Sequence, residues 1–77
     1  MTRVRYFAAA AEAAGTDAEE RSERTLLDLR AAIIAEHPAL VDILPRCAVM
    51  VDGVRTDADR PLDDVQLIDV LPPFAGG

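Results

Sequence analysis

The sequence predicts a small α+β domain, a mixed sheet of four to five strands packed against one main helix, with a short first helix ahead of it. Three observations carry that expectation. Residues 3–7 alternate apolar and charged side chains, as a half-buried strand does. From Thr25 to His37 apolar residues recur at three-to-four spacing, the period of a helix with one face on a sheet. Residues 65–71 are apolar on both faces apart from Gln66 and Asp69, the composition of a central strand covered on at least one side.

In chain order, the first strand puts Val4 and Tyr6 on one face and Arg3, Arg5 and Phe7 on the other. Residues 8–14 are alanine-rich and predict a short helix, with Gly15 as a left-handed C-terminal cap. Residues 18–24 are charged; as a strand they pair with the first one and keep a solvated outer face. Thr25 and Asp28 have capping-box spacing, although Asp is shorter than the usual Glu. Leu26, Leu29, Ala32 or Ile33, and Glu36 or His37 form the helix stripe, widened by Leu27, Ala31 and Ile34, and Pro38 stops the helix near His37. Residues 39–44 read as one helical turn that adds Leu40, Ile43 and Leu44 to the core and is ended by Pro45. Residues 47–51 are an apolar strand, Asp52 and Gly53 a two-residue primed turn, and residues 54–56 the short return strand. Residues 57–64 form an acidic loop anchored by Leu62. Pro72 and Pro73 end sheet pairing and send the chain into extended geometry. The organisation is therefore a folded body over residues 1–71 and an extended tail over residues 72–77.

Composition narrows the function. At 77 residues the chain is one domain with a modest core and little room for an enclosed ligand pocket. Its 14 acids against 8 arginines give a net charge of −6, which disfavours nucleic acid and anionic membranes and favours a basic partner. No apolar run approaches the roughly 20 residues that span a bilayer, and the N-terminus enters a strand pattern at once, so a cytoplasmic protein is expected. Cys47 is the sole cysteine and reads as a small buried hydrophobe; no metal is expected. Asp57, Asp59, Asp63 and Asp64 fit no calcium-loop spacing and read as a solvated turn. His37 reads as a helix-end residue favoured by the dipole. The chain contains no lysine, so no side-chain amine competes for an activated acyl group; a general replacement of lysine by arginine is the plainer account.

The candidate chemistry lies in the tail. Gly76 and Gly77 place no side chain around a terminal carboxylate, and the residues from Pro72 onward extend over on the order of 20 Å, enough to enter a partner's buried site. Pro72 and Pro73 stiffen the tail's base, and Phe74 is its one large apolar anchor. Such a carboxylate is a poor electrophile until another protein activates it. Phe7, Arg55 and Leu71 are candidates for a partner-binding patch near the tail, Phe7 being equally readable as core.

The opening Arg5, Tyr6, Phe7, Ala8, the alanine helix with Gly15, Thr16 and Asp17, and the Thr25-capped helix resemble the small subunit of molybdopterin synthase. So do Val51 and Asp52 in the hairpin, Arg60, Pro61 and Leu62, and above all the ending Pro72, Pro73, Phe74, Ala75, Gly76, Gly77. The resemblance spans the whole chain and implies a ubiquitin-like β-grasp fold. It implies that a ubiquitin-activating-type adenylyltransferase, using ATP and Mg, adenylates the Gly77 carboxylate. Conversion to a thiocarboxylate would follow, and sulfur would pass to a pterin held by the large subunit of molybdopterin synthase. Phe7, Arg55, Leu71, Pro72, Pro73, Phe74, Ala75 and Gly76 would bind partners; the chain itself would hold no cofactor and supply no general acid or base. Other sulfur carriers, for thiamine thiazole, cysteine or tRNA thiolation, remain alternatives, as do a ubiquitin-like protein modifier and a plain β-grasp interaction domain. The family often has arginine where this chain has Ala11, glycine near Asp64 and Val65, and asparagine where it has Asp52.

Overall fold

The computed structural model describes residues 1–73. The elements are β1 (Thr2–Tyr6), α1 (Ala9–Ala14), β2 (Ala18–Arg21), α2 (Leu26–Glu36), α3 (Leu40–Ile43), a 3-10 turn (Leu44–Arg46), β3 (Ala48–Val51), β4 (Val54–Arg55) and β5 (Leu67–Leu71). The strands form one sheet in the order β2-β1-β5-β3-β4. β5 lies parallel to β1 and antiparallel to β3, so the last strand is central, as its apolar composition predicts. Among the described residues no helix is long and apolar enough to cross a membrane.

Strand alternation sets the two faces of the sheet. Val4, Tyr6, Val49, Val51, Ile68 and Val70 point inward and are buried against Leu26, Leu29 and Ile33 of α2. Leu40 and Leu44 close the core edge, with Ile43 packed partly against it. Leu27 and Ala31 do not widen the helix stripe as expected; both are exposed, because the buried face of α2 follows residues 26, 29 and 33 and these two lie off it. Pro45 does not end the helical turn either. It sits in the first turn of the 3-10 segment, where a proline lacks no needed N–H. β5 starts two residues later than the apolar run: Val65 is a buried loop residue whose carbonyl accepts from the Thr2 hydroxyl at 3.0 Å.

Local chemistry fixes the turns. Gly15 caps α1 at φ 73, and Asp52 and Gly53 both take positive φ, as a primed hairpin turn requires. The Thr25 hydroxyl accepts from the Asp28 amide at 3.1 Å, and Asp59, from the acidic loop, accepts from the Leu27 amide at 2.8 Å. Asp59, exposed as a solvated turn would leave it, thus also caps a helix from 32 residues away. Asp52 Oδ1 accepts from the Leu67 amide at 2.9 Å and ties the hairpin to the start of β5. Ala8, between β1 and α1, holds φ 49 and ψ −125, a conformation that side chains resist.

A polar network closes the edge between β2 and the end of α2. Arg21 is buried, its side chain 9% exposed, with Nε and Nη2 on the Glu23 carboxylate at 2.9 and 2.7 Å. It also reaches Glu19 at 3.0 Å and Glu36 at 2.7 Å. Glu19 Oε2 accepts from the Tyr6 hydroxyl at 2.7 Å and lies 2.7 Å from His37 Nε2, while the Tyr6 and His37 rings meet edge to face. His37 is therefore a tertiary link and not merely a helix-end residue. Hydrogen bonds from Arg21 hold the Glu23 and Glu36 carboxyls below the usual glutamate range. Burial pushes Glu19 up, but hydrogen bonds from Tyr6, His37 and Arg21 outweigh it and leave the group lowered. Burial and the Glu19 bond push the Tyr6 hydroxyl far up.

Carboxylates with lowered folded pKa values stabilise the fold above their unfolded value of 4.5, and that contribution is lost as pH falls through the folded values. Native stability is therefore expected to fall on acidification below this point. Arg21→Gln leaves three carboxylates facing one another and is expected to cost about 2 kcal/mol at neutral pH. Its stability should rise as pH is lowered from neutrality toward 5 or so, because protonation relieves the repulsion, whereas the native chain should change little over that range; urea melts across it read the contrast. Ala8→Gly relieves the strained φ and is expected to add about 1 kcal/mol, a Tm increase of roughly 4–8 °C for a domain of this size.

Candidate partner-docking face

Because β1 and β5 are parallel, both deliver their C-terminal ends to the same pole of the sheet. Tyr6 pairs with Val70, so Phe7 and Leu71 come next on adjacent strands, both on the outer face away from α2. The Phe7 amide donates to the Val70 carbonyl at 3.2 Å, and the turn at Ala8 then carries the chain into α1. Phe7 is 38% exposed, which decides its ambiguous reading in favour of the surface. Ala48 faces Leu71 across the ladder on the other side. One rung back lie Arg5, Asp69, Met50 and Arg55, which are paired in succession across four strands.

Arg46, Ala48, Arg55, Leu71, Pro72 and Pro73 line a shallow, mainly apolar groove at this pole. The structure thus brings together four of the residues expected to bind partners: Arg55, Leu71, Pro72 and Pro73. Phe7 lies on the far side of the β5 ridge and lines a second concavity with Arg5, Ala8 and Ala11. Pro72 is itself buried and Pro73 exposed. Phe74, Ala75, Gly76 and Gly77 lie outside the described residues. Arg46 and Ala48 belong to the groove and were not singled out from sequence. The alternation of Ala48 with Met50 carries a signal for the second, while nothing local marks Arg46.

The charges on this face are held by pairs of unequal quality. Arg5 grips Asp69 with two bonds, of 2.7 and 2.8 Å, and its guanidinium lies 5.5 Å from the centre of the Phe7 ring. Donating to the Asp69 carboxylate raises the Arg5 pKa further. Arg55 meets Asp57 only at 3.7 Å, with both side chains largely exposed. No base and nucleophile are paired in the groove. Cys47, behind it, is buried, with Sγ 3.2 Å from the Ile43 carbonyl, and burial pushes its thiol up, away from a reactive thiolate. Glu19, Glu36 and His37 have donor atoms within 4.8 Å of one another, the one arrangement of metal-ligand type among the described residues. Arg21 already neutralises both carboxylates, and His37 is engaged by Glu19, so these groups serve the fold.

The groove beside the central strand ends at Pro73, and among the described residues its lining holds no paired base and nucleophile. The model of the ThiS family matches residues 4–77. The chain belongs to the ThiS family. A molybdopterin synthase sulfur carrier subunit from Chlamydomonas reinhardtii is 36% identical over 81 residues, covering 97% of this chain and 96% of that protein. Among solved structures, a putative molybdopterin converting factor subunit 1 from Pyrococcus furiosus superposes with a TM-score of 0.81 at 26% identity, covering 95% of this chain and 97% of that one. In the complex of subunits 1 and 2 of the molybdopterin-converting factor from Helicobacter pylori, one chain matches with a TM-score of 0.74 at 30% identity, covering 99% of this chain and 97% of that one. The α+β fold of this ThiS-family chain is the ubiquitin-like β-grasp that the sequence resemblance implies.

The two faces of the sheet should respond differently to truncation. Phe7→Ala is expected to cost about 1 kcal/mol or less, as a surface change does. Ile68→Ala, one strand away on the fully buried face, is expected to cost about 3 kcal/mol. Thermal and urea denaturation of the two variants measure the contrast.

Proposed function

We propose that this chain is a sulfur carrier of molybdopterin biosynthesis, the small subunit of a molybdopterin synthase. The observation that carries the reading is the family match running through Gly77 on a fold whose central strand leads straight to the docking groove and the tail. The named subunit from Chlamydomonas reinhardtii and the two-subunit complex from Helicobacter pylori support the pterin branch over other sulfur carriers.

In this reading a ubiquitin-activating-type adenylyltransferase joins the Gly77 carboxylate to AMP and releases pyrophosphate from ATP. A sulfide sulfur then attacks the acyl carbon, AMP leaves with the bonding electrons, and a thiocarboxylate remains. The tail carries that sulfur into the large subunit, where the acceptor pterin is bound, and each transfer returns Gly77 to a carboxylate. The role of the folded body is recognition. The apolar outer face provides contact area, the proline pair limits the entropy lost when the tail is inserted, and the small residues of the tail let a nucleophile approach the carbonyl.

Incubation with ATP, Mg, a sulfide source and the activating enzyme is expected to raise the intact mass by about 16 Da, oxygen being replaced by sulfur, and deletion of Gly77 is expected to abolish the change. Absence of adenylate and thiocarboxylate from a protein that still binds its partners would overturn the carrier reading. Lysine-linked conjugates on other proteins would point instead to a protein modifier.

A further inference from the structure

The net charge of −6 suggests a basic partner, yet two arginines, Arg46 and Arg55, line the groove at the tail exit. Register places Arg3, Arg5 and Arg55 on the outer face, and Arg46 lies at the groove's end. Arg3 is paired with Glu20 at 3.3 Å and Arg5 is fully engaged by Asp69. The two arginines of the groove are different. Arg46 is exposed and forms no salt bridge among the described residues. Arg55 holds only the long contact to Asp57, with the two side chains 66% and 82% exposed. Between them lie Ala48, Leu71, Pro72 and Pro73, all apolar. A guanidinium without a close partner beside an apolar groove keeps its fork of donors available for a carboxylate.

We propose that this groove docks an acidic segment of the partner protein, an apolar residue flanked by carboxylates, and that Arg46 and Arg55 determine specificity by pairing with those carboxylates. The groove borders the point where the tail leaves the body, so a protein that takes up the tail must cover it. The pairs form at the rim of an apolar contact, where they steer encounter and select register more than they add affinity. They also reject partners that are basic at this position, although the chain as a whole attracts basic surfaces. The identity of the partner, the synthase large subunit, rests on the sulfur-carrier reading; the assignment of the two arginines does not.

The test compares binding of the native chain, Arg46→Glu, Arg55→Glu and the double variant to the large subunit from the same source, by calorimetry or biolayer interferometry. Each reversal is expected to weaken binding on the order of fivefold at low salt, mainly by slowing association. The differences should shrink as ionic strength rises from about 0.05 M to about 0.5 M. Arg24→Glu, an exposed arginine outside the groove, serves as the control and is expected to bind like the native chain. Unchanged affinity and salt dependence in the double variant, with native binding intact, would overturn the assignment. Equal weakening by Arg24→Glu would also overturn it, because net charge alone would then explain the effect. Failure of the native chain itself to bind the large subunit is a separate result and would overturn the sulfur-carrier reading.

Discussion

The parallel pairing of β1 with β5 is the contact on which the rest of the molecule depends. It joins residues 64 apart, Arg3 to Leu67 through Tyr6 to Val70, at the middle of the sheet. Its inward side chains, Val4, Tyr6, Ile68 and Val70, are among the least exposed in the protein and form the floor on which α2 lies. Every other strand is added to this pair from outside, β2 on β1 and β3 with β4 on β5. Because the two strands run the same way, Phe7 and Leu71 emerge side by side, and the candidate docking face and the tail exit share one pole. A reversed β5 would bury similar area and put the tail at the opposite end.

Charge is divided between the two faces with different consequences. On the helix side, Arg21 is surrounded by Glu19, Glu23 and Glu36 and is spent on internal neutralisation. Its burial makes those carboxylates structural, since any one of them left without the guanidinium would be repelled by the others. On the outer side Arg3 and Arg5 are paired with Glu20 and Asp69, while Arg55 holds only a long contact to Asp57 and sits in water, where an ion pair contributes little to folding. A single figure for net charge hides this division.

Features set by local sequence were legible in advance. The alternation of β1, the Gly15 cap, the Thr25 cap, the stop at Pro38 and the primed turn at Asp52 and Gly53 each depend on residues within one turn of each other. What was not legible depends on partners that only the fold brings together. Asp59 caps a helix through an amide 32 residues earlier, Asp52 fastens the start of β5, and His37 meets Glu19 and Tyr6 across an edge of the core. Helical period alone could not separate Leu27 and Ala31, which face water, from Leu26, Leu29 and Ile33. For the site, alternation placed Phe7, and the apolar end of the last strand placed Leu71, while Arg46 became visible only when the turn after α3 set it beside Pro73.

The position of β5 also bears on how the chain matures during synthesis. The strand that completes the sheet's centre is the last of the five in chain order, so the nascent chain has an unpaired β1 edge and an open core until residue 71 has emerged. Such high sequence separation delays closure of the core. A polypeptide cut short before that strand lacks the middle of its sheet, so a closed core and the base of the tail come together in one chain or not at all.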